Sequence, residues 1–236
     1  MYTAPPALYW RISLPDPLSA RCPVDRKTMY WKNLTYFGDS MLLLPTALLL
    51  ALFLFWKSQR WQTAFGWLLS FGIAGGLVSI SKVMFLGFFL GSQSLNFTGF
   101  SGHTTMSSVL WPVLMWMISG GRQPWLRRTL ITFGYLLPLA VGYSRLQLHA
   151  HSPSEVISGA TLGAILSTGY LLIQRHTRLN KVSLLQLAAF AALPAVIIFT
   201  GQPAATQQFL SVLSARLAGI EKPYTRAQLL HAGHAN

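Results

Sequence analysis

Acidic residues and cysteines are nearly absent from this chain. Its 236 residues include five carboxylates against 18 lysines and arginines, and Cys22 is the only cysteine. A single cysteine excludes an intrachain disulfide and leaves a thiolate metal cluster without enough ligands. Charged residues make up only 10% of the chain and hydrophobic residues 52%, whereas soluble domains are roughly one quarter charged. Water is therefore not the main solvent of this chain.

The formal net charge of +13 is a feature shared with nucleic-acid-binding proteins. The basic residues, however, gather in short clusters between long apolar runs. Membrane proteins use that distribution to set their topology against anionic lipid head groups. We therefore expect a lipid bilayer around the chain and no nucleic-acid partner.

Six apolar runs cover residues 41–56, 64–90, 103–120, 129–143, 153–173 and 183–200. A helix needs about 20 residues to cross a hydrocarbon core about 30 Å thick, so the first and fourth runs must include flanking residues. We predict an all-α integral membrane protein with a bundle of about six transmembrane helices over residues 40–200. A polar, interfacial segment over residues 1–39 precedes the bundle, and a tail with an amphipathic helical pattern over residues 201–236 follows it.

The basic clusters occupy alternate connections between the runs. They contain Lys57 and Arg60, then Arg122, Arg127 and Arg128, then Arg175, Arg178 and Lys181. The positive-inside rule places these loops in the cytoplasm. Connections 91–102 and 144–152 then face outward, which we expect to be the periplasmic side of a bacterial inner membrane. The spans counted back from the first basic loop would place residues 1–39 on the outer side, yet this segment contains five basic residues. This conflict indicates either a missing first span or a segment that lies along the interface.

The apolar region outside the basic loops contains few ionisable groups: Lys82, His103, Arg145, His151 and Glu155. An ionisable group at the edge of a membrane span is costly unless it is paired or used. Phosphoryl transfer needs fixed cations, an in-line nucleophile and an acid for the leaving oxygen. This set of side chains therefore predicts a phosphoryl-transfer site.

His151 and Glu155 have a spacing that suits a nucleophile and its orienting carboxylate. A neutral imidazole can attack phosphorus if its other nitrogen donates to a carboxylate. A metal site that includes His149 is disfavoured, because the surrounding sequence supplies no fourth strong ligand. We expect no metal and no cofactor.

The remaining candidates would bind the phosphate group. Arg145 offers a bidentate fork and Lys82 a point charge. Ser101 and Gly102 precede His103 at the start of the third run, where a helix amino terminus exposes free backbone donors.

Two of these stretches resemble the second and third signatures of the type 2 phosphatidic acid phosphatase family. They are Ser101-Gly102-His103, and Ser144-Arg145 with His151 six residues beyond Arg145. The resemblance implies a metal-independent lipid phosphatase in which His151 forms a phosphohistidine and Glu155 orients it. It also implies that His103 protonates the leaving lipid alkoxide, while Ser101, Gly102 and Arg145 hold the phosphate.

The chain departs from the family pattern at four positions. Seven residues after Lys82, where the family's first motif ends in arginine and proline, the chain has Phe89 and Leu90. Phe100 replaces a proline, and Glu155 replaces an aspartate. Since misplacement by about 1 Å can reduce a rate about a hundredfold, the departures predict slow turnover or a narrow substrate range.

Three functions fit the same residues. The first is hydrolysis of a membrane lipid phosphate or diphosphate, and the second is transfer of the phosphate to another lipid. The third is binding or transport of a lipid phosphate without turnover, which the loss of the arginine at Phe89 would favour. Two structural roles are also predicted: Asp39 as a helix cap, and Gly72, Gly75 and Gly76 as helix-packing positions.

Overall fold

The computed structural model describes residues 26–183, 185–188, 190, 192, 196 and 206–231. Its main elements are α1 (Arg26–Thr35), a 3₁₀ turn (Tyr36–Gly38), α2 (Ser40–Ser58), α3 (Trp61–Phe88), α4 (Gly102–Ile118), α5 (Pro124–Gln147), α6 (Pro153–Ile173), α7 (Thr206–Ala218) and α8 (Arg226–His231). Within this part of the chain the only pairing of the β type is an isolated bridge between Ser92 and Phe97. The predicted all-α fold class is confirmed.

The outer surface of the helices is apolar, like their interior. On α2, Leu43 and Leu50 are buried, whereas Leu44, Leu48 and Leu52 are 51%, 61% and 65% exposed. A helix that is hydrophobic all round is surrounded either by protein or by lipid. The chain is therefore an integral membrane protein.

Among the described residues, three segments have the length and composition to cross a membrane: Arg26–Ser58, Trp61–Phe88 and Pro153–Ile173. Helices α2 to α6 correspond to the first five predicted runs, and α6 begins and ends at the predicted residues. The sixth run, over residues 183–200, lies largely outside the described residues, as does most of the segment over residues 1–39. That the bundle contains six transmembrane helices stays a prediction.

Helix α4 lies at the centre of the bundle and packs against α2, α3, α5 and α6. Its Leu110 and Met117 are fully buried, together with Trp67 of α3. The Trp67 indole nitrogen donates to the Ala47 carbonyl oxygen at 2.9 Å, which joins α3 to α2. Such a partner is usual for a buried tryptophan, because an unpaired indole N–H would offset part of the gain from burying the ring.

Helices α4 and α6 approach each other most closely at glycines of α6. A Cβ atom at Gly163 would lie 2.5 Å from Ser108 Cβ, and one at Gly159 would lie 2.8 Å from Thr105 Oγ1. Of the three glycines predicted to serve helix packing, Gly75 lies beside α4, because a Cβ atom there would be 3.6 Å from Met106 Cε. A Cβ atom at Gly72 or Gly76 would meet no neighbouring element within 4 Å in the described part of the chain. The small residues that allow close packing are on a different helix.

The connectivity places the predicted site at one end of the bundle. Helices α2, α4 and α6 begin at this end, and α3 and α5 finish there. The partial positive charges of three helix amino termini therefore meet where the phosphate is expected. The basic loops lie at the opposite end, where Lys57 Nζ donates to the Lys181 carbonyl oxygen at 3.0 Å.

The carboxy-terminal segment folds back onto the site end. Helix α7 packs along α3, with Leu210 buried. The Tyr224 amide donates to the Leu86 carbonyl oxygen at 2.9 Å, and the rings of Tyr224 and Phe89 lie 4.9 Å apart. The segment therefore covers the end of α3.

Candidate active site

A cavity of about 530 Å³ opens at the site end of the bundle and is lined by Lys82, His103, Arg145 and His151. A second cavity of about 440 Å³ shares Lys82, His103 and Arg145 with it. The chain therefore brings these four predicted site residues, from four different stretches, around one space.

His151 lies in the short connection between α5 and α6, and Glu155 is in the first turn of α6. His151 Nδ1 is 2.6 Å from Glu155 Oε2, and the glutamate side chain is completely buried. If Nδ1 carries the proton it donates to the carboxylate, which leaves a lone pair on Nε2. The geometry thus suits an imidazole whose free nitrogen faces a reaction partner.

Glu155 is held by several donors besides His151. Its Oε1 atom accepts from the Thr98 amide at 2.7 Å and from the Thr98 hydroxyl at 2.5 Å. Its Oε2 atom accepts from the Ser152 amide at 3.2 Å and from Arg226 Nη2 at 2.6 Å. Ser152 and Glu155 also form a capping box at the start of α6. A carboxylate with this many donors has a fixed position and can fix the His151 ring in turn.

His103 is in the first turn of α4, and its Nε2 atom lies 3.7 Å from Asp39 Oδ2. Asp39 also caps α2, because its Oδ1 atom accepts from the Met41 amide at 2.8 Å. The predicted role of Asp39 as a helix cap is therefore present, and the same carboxylate can stabilise a protonated His103.

Arg145 and Lys82 bring positive charge to the cavity from α5 and α3. Arg145 Nη1 donates to the Thr35 hydroxyl at 3.2 Å, while its Nε atom is buried without a hydrogen-bond partner among the described residues. Lys82 Nζ donates to Gln207 Oε1 at 2.8 Å. A buried guanidinium nitrogen without a partner is costly, and a bound anion would satisfy it.

Ser101 and Gly102 are placed differently from each other. Gly102 borders the second cavity. Ser101 is completely buried, with its hydroxyl 2.9 Å from Thr104 Oγ1 and its amide donating to the Glu155 carbonyl oxygen. Ser101 therefore joins the starts of α4 and α6 inside the protein, where its amide donates to Glu155 and its hydroxyl pairs with that of Thr104.

The His151 ring is 12% exposed. Burial lowers the pKa of His151 below its ordinary value, and the hydrogen bond and charge of Glu155 oppose that shift. A lowered pKa keeps the imidazole neutral, and therefore nucleophilic, near neutral pH.

Comparison with known proteins places this arrangement in a family. Residues 87–179, which include the stretches of His103, Arg145, His151 and Glu155, match the family model of the PAP2 superfamily. The chain belongs to the PAP2 superfamily. The resemblance predicted from the motifs is confirmed.

Two individual proteins are similar to this PAP2 chain. A Klebsiella pneumoniae protein described as an uncharacterized 22.5 kDa protein in the cps region is 38% identical over 204 residues, which are 85% of this chain and 98% of that protein. The crystal structure of the first transmembrane PAP2 type phosphatidylglycerolphosphate phosphatase from Bacillus subtilis superposes with a TM-score of 0.52. It is 22% identical, and the match covers 68% of this chain and 81% of that chain. This second likeness supports the fold.

Sequence reasoning did not find three residues that contact the site of this PAP2 protein. Asp39 was assigned only to a helix cap, although the scarcity of acidic residues was a signal that it matters. Thr98 and Arg226 were not singled out at all, and both contact Glu155. Arg226 follows the bundle in the tail, where no motif or spacing marks it.

Proposed function

We propose that this PAP2 protein hydrolyses a membrane lipid phosphate or diphosphate through a phosphohistidine on His151, without a metal ion. The observation that carries the proposal is the contact between His151 and the buried Glu155, at a cavity that also presents His103 and Arg145. In the part of the chain described, no three histidine, cysteine, aspartate or glutamate side chains form a group that could hold a metal ion.

In the first half of the reaction, His151 Nε2 attacks phosphorus while its Nδ1–H donates to Glu155. The bond between phosphorus and the lipid oxygen breaks, and the electron pair stays on that oxygen. A protonated His103, supported by Asp39, gives its proton to the leaving alkoxide. Arg145 and Lys82 stabilise the charge on the phosphoryl oxygens, and the products are the lipid alcohol and a phosphohistidine.

In the second half, water attacks the phosphohistidine. His103, now neutral, accepts a proton from the water, and the bond between phosphorus and His151 Nε2 breaks. Inorganic phosphate leaves, and both histidines return to their starting states. An acceptor hydroxyl on another lipid would use the same intermediate, which makes lipid-to-lipid transfer an outcome that an assay must distinguish.

The lipid character of the substrate is supported by the second cavity. Besides the shared cations, its lining includes Leu43, Phe71, Met106 and Leu210. An apolar chain that extends from a phosphate at Lys82 and Arg145 would meet these side chains. An amphiphilic phosphate ester would place its phosphate in the first cavity and its hydrocarbon chain in the second.

We further propose that the protein lies in a bacterial inner membrane with the site on the outer face. The eight basic residues of the loops lie at the end of the bundle away from the cavity, which is the arrangement the positive-inside rule expects. The substrate's head group would then be in the outer leaflet.

The function is tested with purified protein in detergent and a panel of phosphatidic acid, phosphatidylglycerophosphate, polyprenyl diphosphate and lipid A phosphate. We expect release of inorganic phosphate from at least one lipid, and we expect EDTA to leave the rate unchanged. Each assay is repeated with a second lipid that offers free hydroxyl groups. Phosphate release without that lipid excludes obligatory transfer, whereas folded protein that releases phosphate from none of the lipids contradicts the hydrolase and supports a binding protein.

The pH dependence tests the role of His151. Since only the neutral imidazole attacks, kcat/KM should rise with pH as His151 loses its proton. Burial lowers the pKa of His151, so the midpoint of this acid limb should lie below about pH 6.5, the ordinary value for histidine. The charge of Glu155 raises that pKa, and Glu155→Gln should therefore move the limb to lower pH while it reduces kcat.

The measurement is kcat/KM in detergent from about pH 4 to pH 9, a range that covers the ordinary histidine pKa on both sides. Protein recovered from the most acidic buffer is assayed again at pH 7 to separate titration from unfolding. A limb that moves to higher pH in Glu155→Gln would show that the titrating group is not a histidine paired with this carboxylate.

A further inference from the structure

The carboxy-terminal segment forms one wall of the active-site cavity. Gln207 and residues 223–226 line it together with His151, and Lys82 Nζ donates a hydrogen bond to Gln207. The chain thus completes the site with residues that follow the bundle.

Arg226 is the charged residue of this wall. Its Nη2 atom lies 2.6 Å from Glu155 Oε2 and 3.2 Å from Thr98 Oγ1. The side chain is 29% exposed and borders the cavity. A guanidinium has five N–H donors in a planar fork, and these two contacts engage a single nitrogen. Since Arg226 and His151 line the same cavity, the remaining donors of the fork are available to an anion bound there.

Phe89 helps to set the position of Arg226. Phe89 ends α3 in a left-handed conformation, with φ 58°, and its ring packs on Tyr224 at 4.9 Å between centroids. The amide of Tyr224 is bonded to Leu86. Two residues further on, the chain reaches Arg226. Phe89 stands at the position where the family resemblance predicted an arginine. Through its contact with Tyr224, it holds in place the segment that contains Arg226.

The balance of charge favours an anion-binding role. The described residues at this site include three basic side chains, Lys82, Arg145 and Arg226, and two carboxylates, Asp39 and Glu155. Without Arg226 these charges would cancel, and the protonated His103 of the proposed mechanism would be the only excess positive charge available to a phosphate dianion. With Arg226 the site has one excess positive charge before any histidine is protonated.

We propose that Arg226 is a phosphate-binding residue of this site, carried into it by the carboxy-terminal segment and held there by Glu155, Thr98 and the contact between Phe89 and Tyr224. The inference rests on the proposed function, because it assigns a phosphate group to the cavity. In this proposal Arg226 supplies the guanidinium that the first-motif position, occupied by Phe89, lacks.

The test compares Arg226→Gln and Arg226→Lys with Arg216→Gln, a matched control that removes an exposed arginine from the same tail. Orthovanadate is the probe, because it mimics phosphate without a lipid chain. We expect its inhibition constant and the substrate KM to rise at least about tenfold in Arg226→Gln, the size of effect that one lost charge-assisted contact produces. Arg226→Lys should raise both less, and Arg216→Gln should leave both within about twofold.

An unchanged vanadate inhibition constant in Arg226→Gln, with a lowered kcat, would overturn the inference and make Arg226 only a positioning residue for Glu155. If Arg226→Gln does not fold, Arg226→Lys is the deciding variant, since it keeps the charge beside Glu155 but loses the planar fork. A wild-type vanadate inhibition constant in Arg226→Lys would then overturn the inference.

A second readout separates this inference from the proposed function. Vanadate should raise the Tm of the wild-type protein in detergent whether or not the protein turns over a lipid. Loss of that shift in Arg226→Gln supports the inference even if no phosphatase activity is found. An equal shift in both proteins, or none in the wild type, overturns it.

Discussion

His151→Asn should reduce phosphate release from the best lipid substrate at least about 10⁴-fold, because the nucleophile of a covalent reaction has no substitute in the site. Asparagine retains a polar side chain of similar size but has no basic nitrogen. The buried Glu155 would lose its contact with Nδ1 and keep those with Thr98 and Arg226, so the fold should be retained. Release of radiolabelled phosphate, measured with the purified variant, checks the rate.

The matched control is His149→Asn, two residues earlier in the same connection. His149 is exposed and has a left-handed conformation, with φ 53°, which asparagine adopts more readily than most residues. Its activity should stay within about twofold of the wild type, as expected for a surface substitution. Equal losses in the two variants, or a His151→Asn protein with more than about a hundredth of wild-type activity, would exclude the phosphohistidine mechanism.

Arg145→Gln should lower kcat/KM by about 10²- to 10³-fold, the usual effect of removing one group that stabilises a transition-state charge. The buried Nε atom of Arg145 has no partner among the described residues, so we expect a phosphoryl oxygen to accept from it. Arg145→Lys should recover only part of the loss, because an ammonium group cannot reproduce the planar fork. Steady-state kinetics with the preferred lipid measure both variants.

Arg128→Gln provides the comparison for Arg145→Gln, since Arg128 is an exposed arginine near the other end of α5. It should retain nearly full activity. Thr35 also contacts Arg145, and Thr35→Val tests whether a loss comes from this contact alone. If Thr35→Val is as impaired as Arg145→Gln, the arginine supports α1 and its binding of phosphate is refuted.

Local patterns in the sequence predicted the helices well. The bounds of α6 coincide with the predicted run, because a proline and a capping box mark its start. The pairing of His151 with Glu155 was also predictable, since a spacing of four residues at a helix start brings the two side chains together. Signals of this kind come from residues close in sequence, whose relative positions are set by backbone geometry.

Contacts between distant segments were not predictable in the same way. Arg226 and Glu155 are 71 residues apart in sequence, and their contact depends on how the tail returns to the bundle. For a similar reason, Gly72 and Gly76 have no packing neighbour among the described residues. Their spacing suggests a packing face, but which face of a helix meets a neighbour is decided by the whole bundle. The close approach between α4 and α6 occurs at Gly159 and Gly163.

Glu155 completes the first turn of α6 and also orients the His151 ring. Under the proposed mechanism, natural selection on folding and natural selection on turnover therefore act on the same carboxylate. A substitution that loosens this turn would also move the carboxylate that holds the imidazole, so in that mechanism the two properties evolve together at this position.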